Sequence, residues 1–507
     1  MTAIAPLRRL FMPTAMTESL SVYLPATVAF RVINFARLAL MTWWMTQAEF
    51  GFFNLVLLLS NVATPLVSLG LNDAITRFVP IHEQDGTLRR FIVRSGILLA
   101  AATTLLTAGM LALAILTGGA FQPFSETGDV TATAERAQNL TLLSISAAVA
   151  VMQAMHFFLL GVLKGLRSYK AVAWMEVTQG VAFLLLALAS AVLGWQSAAA
   201  MAACYLISLA LTFVIYATGL SLVLPPDSNA ASPPASPLLR RLLQFSICIM
   251  TATAAWQLFQ YYPTWRLNQT HGADSVALFS AVRQVGQFIL AGAVAFVTIV
   301  QTQVARTWET RGPEAAGRQF SLVLRVTSLT LLFMCGALAA GRHLIMRIYA
   351  RGYSVGADVL PLQLLFFLMA GYLTFLSVHF QLIKRTRWTP WPWVVGLAAN
   401  IILTRVVTFE EPLGLWAASW AAVLAMAAAL TACLLMVRLE RRPVERGVYF
   451  CMAAAWALAL PTWAMGGVLV TLALLAAFTN LIFTHDERAE VGSKLWLAVQ
   501  RFSTGRF

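Results

Sequence analysis

The chain has 507 residues, 59% of them hydrophobic and only 11% charged, with a mean hydropathy of +0.76. Soluble domains carry roughly 25% charged residues, so a soluble enzyme, a disordered scaffold and a secreted disulfide module are excluded. A polytopic membrane protein remains. The net charge of +14 would point a soluble chain toward nucleic acid, but here it raises the question of which side of the bilayer holds the cations.

Taken in chain order, Met1 to Thr17 carries Arg8 and Arg9 but no apolar core ending in a cleavage site, so the first membrane segment is expected to stay in the mature protein. Apolar runs of about 20 residues are long enough to span a bilayer. They predict an all-α polytopic protein of about 14 transmembrane helices, near 20–46, 50–78, 91–117, 139–163, 171–195, 198–224, 240–264, 275–304, 319–340, 358–383, 391–408, 412–437, 447–463 and 465–484. The runs are too long and too unalternating for a transmembrane barrel. With Arg8 and Arg9 in the cytoplasm, the cytoplasmic loops collect most of the 35 Lys and Arg, including Arg89, Arg90, Lys164, Arg167, Arg240, Arg241, Arg441 and Arg442. That is the positive-inside pattern, with both termini cytoplasmic, and it accounts for the charge without nucleic acid. The loop Arg342 to Arg351 departs from it and predicts a short helix on the outer surface.

One stretch, Pro225 to Pro237, is proline- and serine-rich with no apolar face and reads as a cytoplasmic linker. The domains expected are an N-terminal six-helix bundle over 1–224, the linker 225–237, a C-terminal six-helix bundle over 238–437, and two extra helices with a cytoplasmic tail over 438–507. A weak repeat supports the duplication. AEFGFFNLV (Ala48 to Val56) and ADSVALFSAV (Ala273 to Val282) each open a helix ending in a polar loop, with Phe53 and Phe279 at matching places. Both halves start from the cytoplasm, so the repeat is parallel, about an axis along the membrane normal.

Candidate functional residues lie on polar faces of the first two helices of each half. Thr27, Arg31, Asn34 and Arg37 fall within roughly 120° of helix circumference. The second helix carries Asn54, Asn61, Thr64, Ser68 and Asn72, the seventh Thr253, Gln257, Gln260 and Thr264, and the eighth Ser280, Arg283, Gln284 and Gln287. An Arg inside a membrane costs about 2.5–3.5 kcal/mol even on insertion scales, so Arg31, Arg37 and Arg283 call for a watery or anionic surrounding. The four faces together predict a cationic cavity suited to an anion, because guanidinium binds phosphate or carboxylate through paired hydrogen bonds. The structural alternative is equally physical: Arg snorkels or pairs with helix-end carbonyls, and Ser, Thr and Asn are ordinary interhelical glue.

Arg325 and Arg405 lie on helices outside the cavity and read as structurally paired. Asp73 and Arg77, one turn apart, read as a local ion pair or gate latch. Glu176 is the other deep acidic group, with a proton relay as its functional reading, and His156 and His379 read as packed histidines. The five cysteines form no CxxC or Cys/His pattern, and no P-loop, GxSxG, HExxH or GxGxxG occurs in a usable context. No metal, cofactor or enzymatic chemistry is expected.

The segment EFGFFNLVLLLSNVATPLVSLGLNDAITRFVP (Glu49 to Pro80) and the basic Arg89-Arg90 after it resemble the second-helix region of bacterial polysaccharide transporters. These are the oligosaccharide flippases of the multidrug/oligosaccharidyl-lipid/polysaccharide exporter superfamily, built from two six-helix bundles with optional extra helices. The resemblance implies a bacterial inner-membrane flippase that moves undecaprenyl-pyrophosphate-linked oligosaccharide to the outer leaflet by alternating access. Arg31, Arg37 and Arg283 would then meet the pyrophosphate or acidic sugars. It also implies membrane lipids, a polysaccharide polymerase and glycosyltransferases as partners. A multidrug exporter of the same superfamily and a polysaccharide polymerase or ligase are the competing functions. The first would favour deep carboxylates where this chain has Arg, and the second an outer catalytic loop that the stretch Gly118 to Gln138 does not provide.

Overall fold

The computed structural model describes residues 10–12, 16–116, 133–224, 235–350, 352–382, 385–407, 414–440 and 445–489. The linker expected at 225–237 lies outside them up to residue 234. Every regular element among the described residues is a helix. The first, α1 (Met16–Trp44), is followed by Thr46, whose hydroxyl accepts a hydrogen bond from the Glu49 amide at 3.3 Å and so caps α2 (Gln47–Val67). The single helix expected over 50–78 is in fact two. Leu69 (φ 51°) and Gly70 (φ 65°) both enter the left-handed region, and α3 (Leu71–Gln84) begins after them. Gly70 is required there sterically as well, because a Cβ would stand 2.7 Å from the Ser246 carbonyl oxygen.

The helices α4 (Leu88–Leu116), α5 (Thr133–Gly165), α6 (Tyr169–Val192) and α7 (Ala198–Val223) match predicted runs to within several residues. The long α8 (Ala235–Arg311) is broken at Gly272 (φ 79°, ψ 178°), between the two helices predicted at 240–264 and 275–304. Gly312 (φ 86°) and then Pro313 separate it from α9 (Pro313–Ala340), with proline at the first helical position where no donor is lost. After these come α10 (Arg342–Met346, in the loop predicted to hold a short helix), α11 (Leu360–Leu382), α12 (Pro390–Val406), α13 (Leu415–Leu439), α14 (Arg446–Ala454) and α15 (Thr462–Phe478).

Among the described residues nine helices are long and apolar enough to cross a membrane. The chain is a multi-pass membrane protein. The runs predicted at 447–463 and 465–484 form shorter apolar helices, Arg446–Ala459 and Thr462–Phe478.

The chain divides into two compact units, one running to Ser280 and the other starting at Ala281, a boundary inside α8. In the first unit helices approach closely where a side chain is missing. A Cβ on Gly161 of α5 would lie 2.5 Å from the Asn72 carbonyl oxygen of α3, and one on Gly51 of α2 would lie 2.0 Å from that of Ala273. The Gln47 amide donates to the Asp274 carbonyl at 3.1 Å. The two segments matched in sequence, Ala48–Val56 and Ala273–Val282, therefore begin side by side. The Glu49 carboxylate accepts from the Ala198 amide at 2.5 Å, at the N-terminus of α7 where the helix dipole favours a negative charge.

In the second unit a Cβ on Gly286 would meet the Phe367 ring of α11 at 2.3 Å. Gln363 of α11 donates to the Ser419 hydroxyl of α13 at 2.8 Å. Arg325 of α9, 3% exposed, lies 2.6 Å from both Glu445 and Glu487 and also donates to the Ile482 carbonyl. It thereby joins α9, the start of α14 and the segment after α15, which is the structural pairing expected of it.

Candidate functional site

The polar stripe of α1 does not act as one surface. Arg37 is 5% exposed, with its guanidinium carbon 4.1 Å from the centroid of the Phe183 ring on α6. Phe183 in turn packs on Tyr205 of α7 at 5.1 Å and on Phe53 of α2 at 6.1 Å. Two nitrogens of Arg37, Nε and Nη1, have no hydrogen-bond partner among the described residues. Ring faces stand in for acceptors, since the aromatic quadrupole attracts a cation most strongly when water is excluded. Arg37 was expected to face a cavity, but the structure puts it in the packed interior of the first unit.

Arg31 and Asn34 are half-buried. Below them α1 packs on α6 at Gly180, where a Cβ would be 3.1 Å from the Phe30 ring and 3.4 Å from Ile33. Glu176, one turn before Gly180, lies within electrostatic reach of Arg31 and of Lys164 at the end of α5. This acidic neighbour of Arg31 was not legible in sequence, where Glu176 stands far from it. The residue type alone was the available signal.

On α2 the stripe serves helix packing. The Asn61 side-chain oxygen accepts from Gln153 of α5 at 2.7 Å, Ser60 donates to the Ser146 carbonyl at 2.9 Å, and Thr64 donates to the Gln153 side-chain oxygen at 3.3 Å. Asn54 donates to the Phe50 carbonyl one turn back at 2.7 Å. Such bonds are worth about 0.6 kcal/mol each between membrane helices, and several in a row fix register. Asn61 therefore belongs to the α2–α5 seam. Gln153, its partner, was missed by sequence reasoning, although a lone Gln in an apolar helix is a signal of this kind of bond.

On α8, Gln257 is half-buried, and the Thr264 hydroxyl donates to the Gln260 carbonyl at 3.2 Å. In the second unit Arg283 is 6% exposed, 5.8 Å from the Phe367 ring, and Gln287 is half-buried. Arg405 is exposed on α12. The side chains of Thr27, Asp73, Arg77 and His379 lie outside the described residues. His156 is buried, 4% exposed, with no partner for Nδ1 among the described residues. What remains for chemistry in the first unit is a half-buried guanidinium with an acidic side chain in electrostatic reach. That arrangement can exchange its partner for an incoming anion.

The family model described as polysaccharide biosynthesis protein matches residues 16–302, more than half of the chain. The chain belongs to this family. The chain's helical architecture is shared with solved structures of low sequence identity. The lipid II flippase MurJ in an inward closed conformation superposes with a TM-score of 0.64 at 12% identity, covering 89% of this chain and 98% of MurJ. A MATE transporter in complex with MaL6 gives 0.61 at 14%, covering 85% and 98%. A MOP superfamily transporter from Pyrococcus furiosus, described as having a binding pocket of reverse polarity, gives 0.60 at 15%, covering 85% and 97%. The polysaccharide biosynthesis chain thus has the MOP transporter fold. No curated protein matches it by sequence.

Proposed function

We propose that the chain is a flippase that carries an undecaprenyl-pyrophosphate-linked oligosaccharide from the cytoplasmic to the outer leaflet by alternating access, for surface or exopolysaccharide assembly. The observation that carries the reading is the family match over 16–302. The cation balance of the spanning helices adds the substrate's charge. Arg31 supplies the guanidinium for the pyrophosphate, with Glu176 as the counter-ion it leaves, and Asn34, Gln257, Arg283 and Gln287 offer further polar contacts. Asp73 and Arg77, one turn apart on α3, are assigned to gating. The protein is placed in the bacterial inner membrane with both termini cytoplasmic, and six-helix bundles over 1–224 and 238–437 do the rocking. A polysaccharide polymerase and glycosyltransferases supply and use its substrate, and neither nucleic acid nor a catalytic step of its own enters the scheme.

The test replaces Arg31 and Arg283 singly with Gln and follows surface polysaccharide together with the leaflet in which the lipid-linked sugar collects. The expected result is near-normal protein level, surface polysaccharide reduced at least tenfold, and substrate held in the cytoplasmic leaflet. Normal export by both variants overturns the assignment. The likeness to MATE transporters keeps a multidrug exporter as the second reading, and dye efflux by the wild-type chain in an efflux-deficient host would favour it.

A further inference from the structure

Apart from the residues assigned above, the first unit holds a cleft of about 490 Å³ at the C-terminal ends of α3 and α5, with Thr76, Glu83, Gln84, Lys164 and Arg167 in its walls. That volume lies in the range of small-molecule sites, roughly 300–1,000 Å³. Two cations face one carboxylate there. Arg167 lies 3.7 Å from Glu83, and the two side chains are 63% and 35% exposed. An ion pair this long and this wet contributes little. A doubly charged phosphate, which guanidinium grips with two parallel hydrogen bonds, outcompetes it.

The plain alternative is that Lys164 and Arg167 neutralise the carbonyl end of α5. Those carbonyls already have donors: the amides of Leu166, Arg167 and Ser168 bond to the carbonyls of Val162, Lys164 and Leu163 at 2.9, 3.0 and 3.0 Å. These backbone bonds shape the turn, with Arg167 itself in the left-handed region at φ 59°. A side chain other than Gly at such a position is unusual, and this one projects a guanidinium over the cleft.

The geometry points to this cleft as a capture site for a phosphate-bearing headgroup, held by Lys164 and Arg167 once it has displaced Glu83. It deepens the flippase reading in one respect only, that the headgroup is the carrier's pyrophosphate; membrane phospholipid offers the same chemistry.

The full-length protein in detergent is titrated with inorganic pyrophosphate, by calorimetry and by thermal shift. Wild type binds, and Lys164→Gln with Arg167→Gln weakens binding at least tenfold. Arg167→Gly removes the charge while relaxing the left-handed backbone, so it keeps the fold and still loses affinity. Glu83→Gln binds more tightly, and Arg31→Gln keeps the component of binding that the Lys164 and Arg167 variants lose, which separates this site from the transport cavity. Displacement of pyrophosphate by phosphatidylglycerol vesicles assigns the site to membrane headgroups, and failure to displace assigns it to the carrier. No binding by wild type, undiminished binding by the Gln pair and Arg167→Gly, or loss of that component in Arg31→Gln overturns the proposal.

Discussion

Two arginines six positions apart on one helix have opposite surroundings. Arg31 is half-buried with a carboxylate in reach, whereas Arg37 is enclosed by Phe183, with Tyr205 and Phe53 behind it. The helical period places both on one stripe, which sequence reveals. The rings that claim Arg37 come from α2, α6 and α7, and no local pattern names them. Replacing Arg37 with Ala leaves a cavity against those rings and is expected to lower stability by about 2–4 kcal/mol. Arg37→Met fills the space without an unpaired charge and is expected to cost less than half as much. Melting temperatures of the two purified variants check this, with transport by the Met variant expected to stay close to wild type.

Breaks and seams differ in how far sequence shows them. The break in α8 is readable, since Gly272 lies in the polar stretch Gln269 to Asp274 between two apolar runs. The break between α2 and α3 is marked only by the Ser68-Leu69-Gly70-Leu71 turn inside one apolar run, and Leu69 is a residue that rarely adopts the left-handed backbone it has here. The polar stripe of α2 is equally visible, but whether such a stripe faces water or a neighbouring helix depends on α5, some 90 residues on, as in the Asn61–Gln153 bond. The glycines of these seams are unequal too. Gly51 has the Ala273 carbonyl oxygen 2.0 Å from where a Cβ would stand, whereas Gly317 on α9 has nothing within 4 Å. Gly51→Ala is therefore expected to destabilise by about 1–3 kcal/mol through overpacking, and Gly317→Ala to be neutral or stabilising. Thermal unfolding of the pair in detergent measures the difference.

At the scale of the molecule, composition alone excluded a soluble fold, and apolar run lengths located nearly every described helix. The ties that join distant segments stayed hidden. Arg325 was legible as a structural cation, but its partners Glu445 and Glu487 lie more than a hundred residues downstream. Burial alone raises the Glu487 carboxyl, and the hydrogen bonds from Arg325 and Thr484 outweigh it and hold the group below its ordinary range. A carboxyl lowered by folding stabilises fully above its unfolded value, about 4.3. It loses that contribution as the pH falls through the folded one. Wild type is accordingly expected to lose melting temperature more steeply below about pH 4.3 than Glu487→Gln does, measured from pH 7 down to pH 3.

The same guanidinium makes the segment after α15 part of the architecture. Because Arg325 draws a carbonyl from residue 482 and a carboxylate from residue 487, a stop codon placed just after α15 would strip the buried guanidinium of both, leaving it on Glu445, and expose the product to membrane proteases. Purification tags and fluorescent reporters therefore belong downstream of Arg488, where they leave that knot tied.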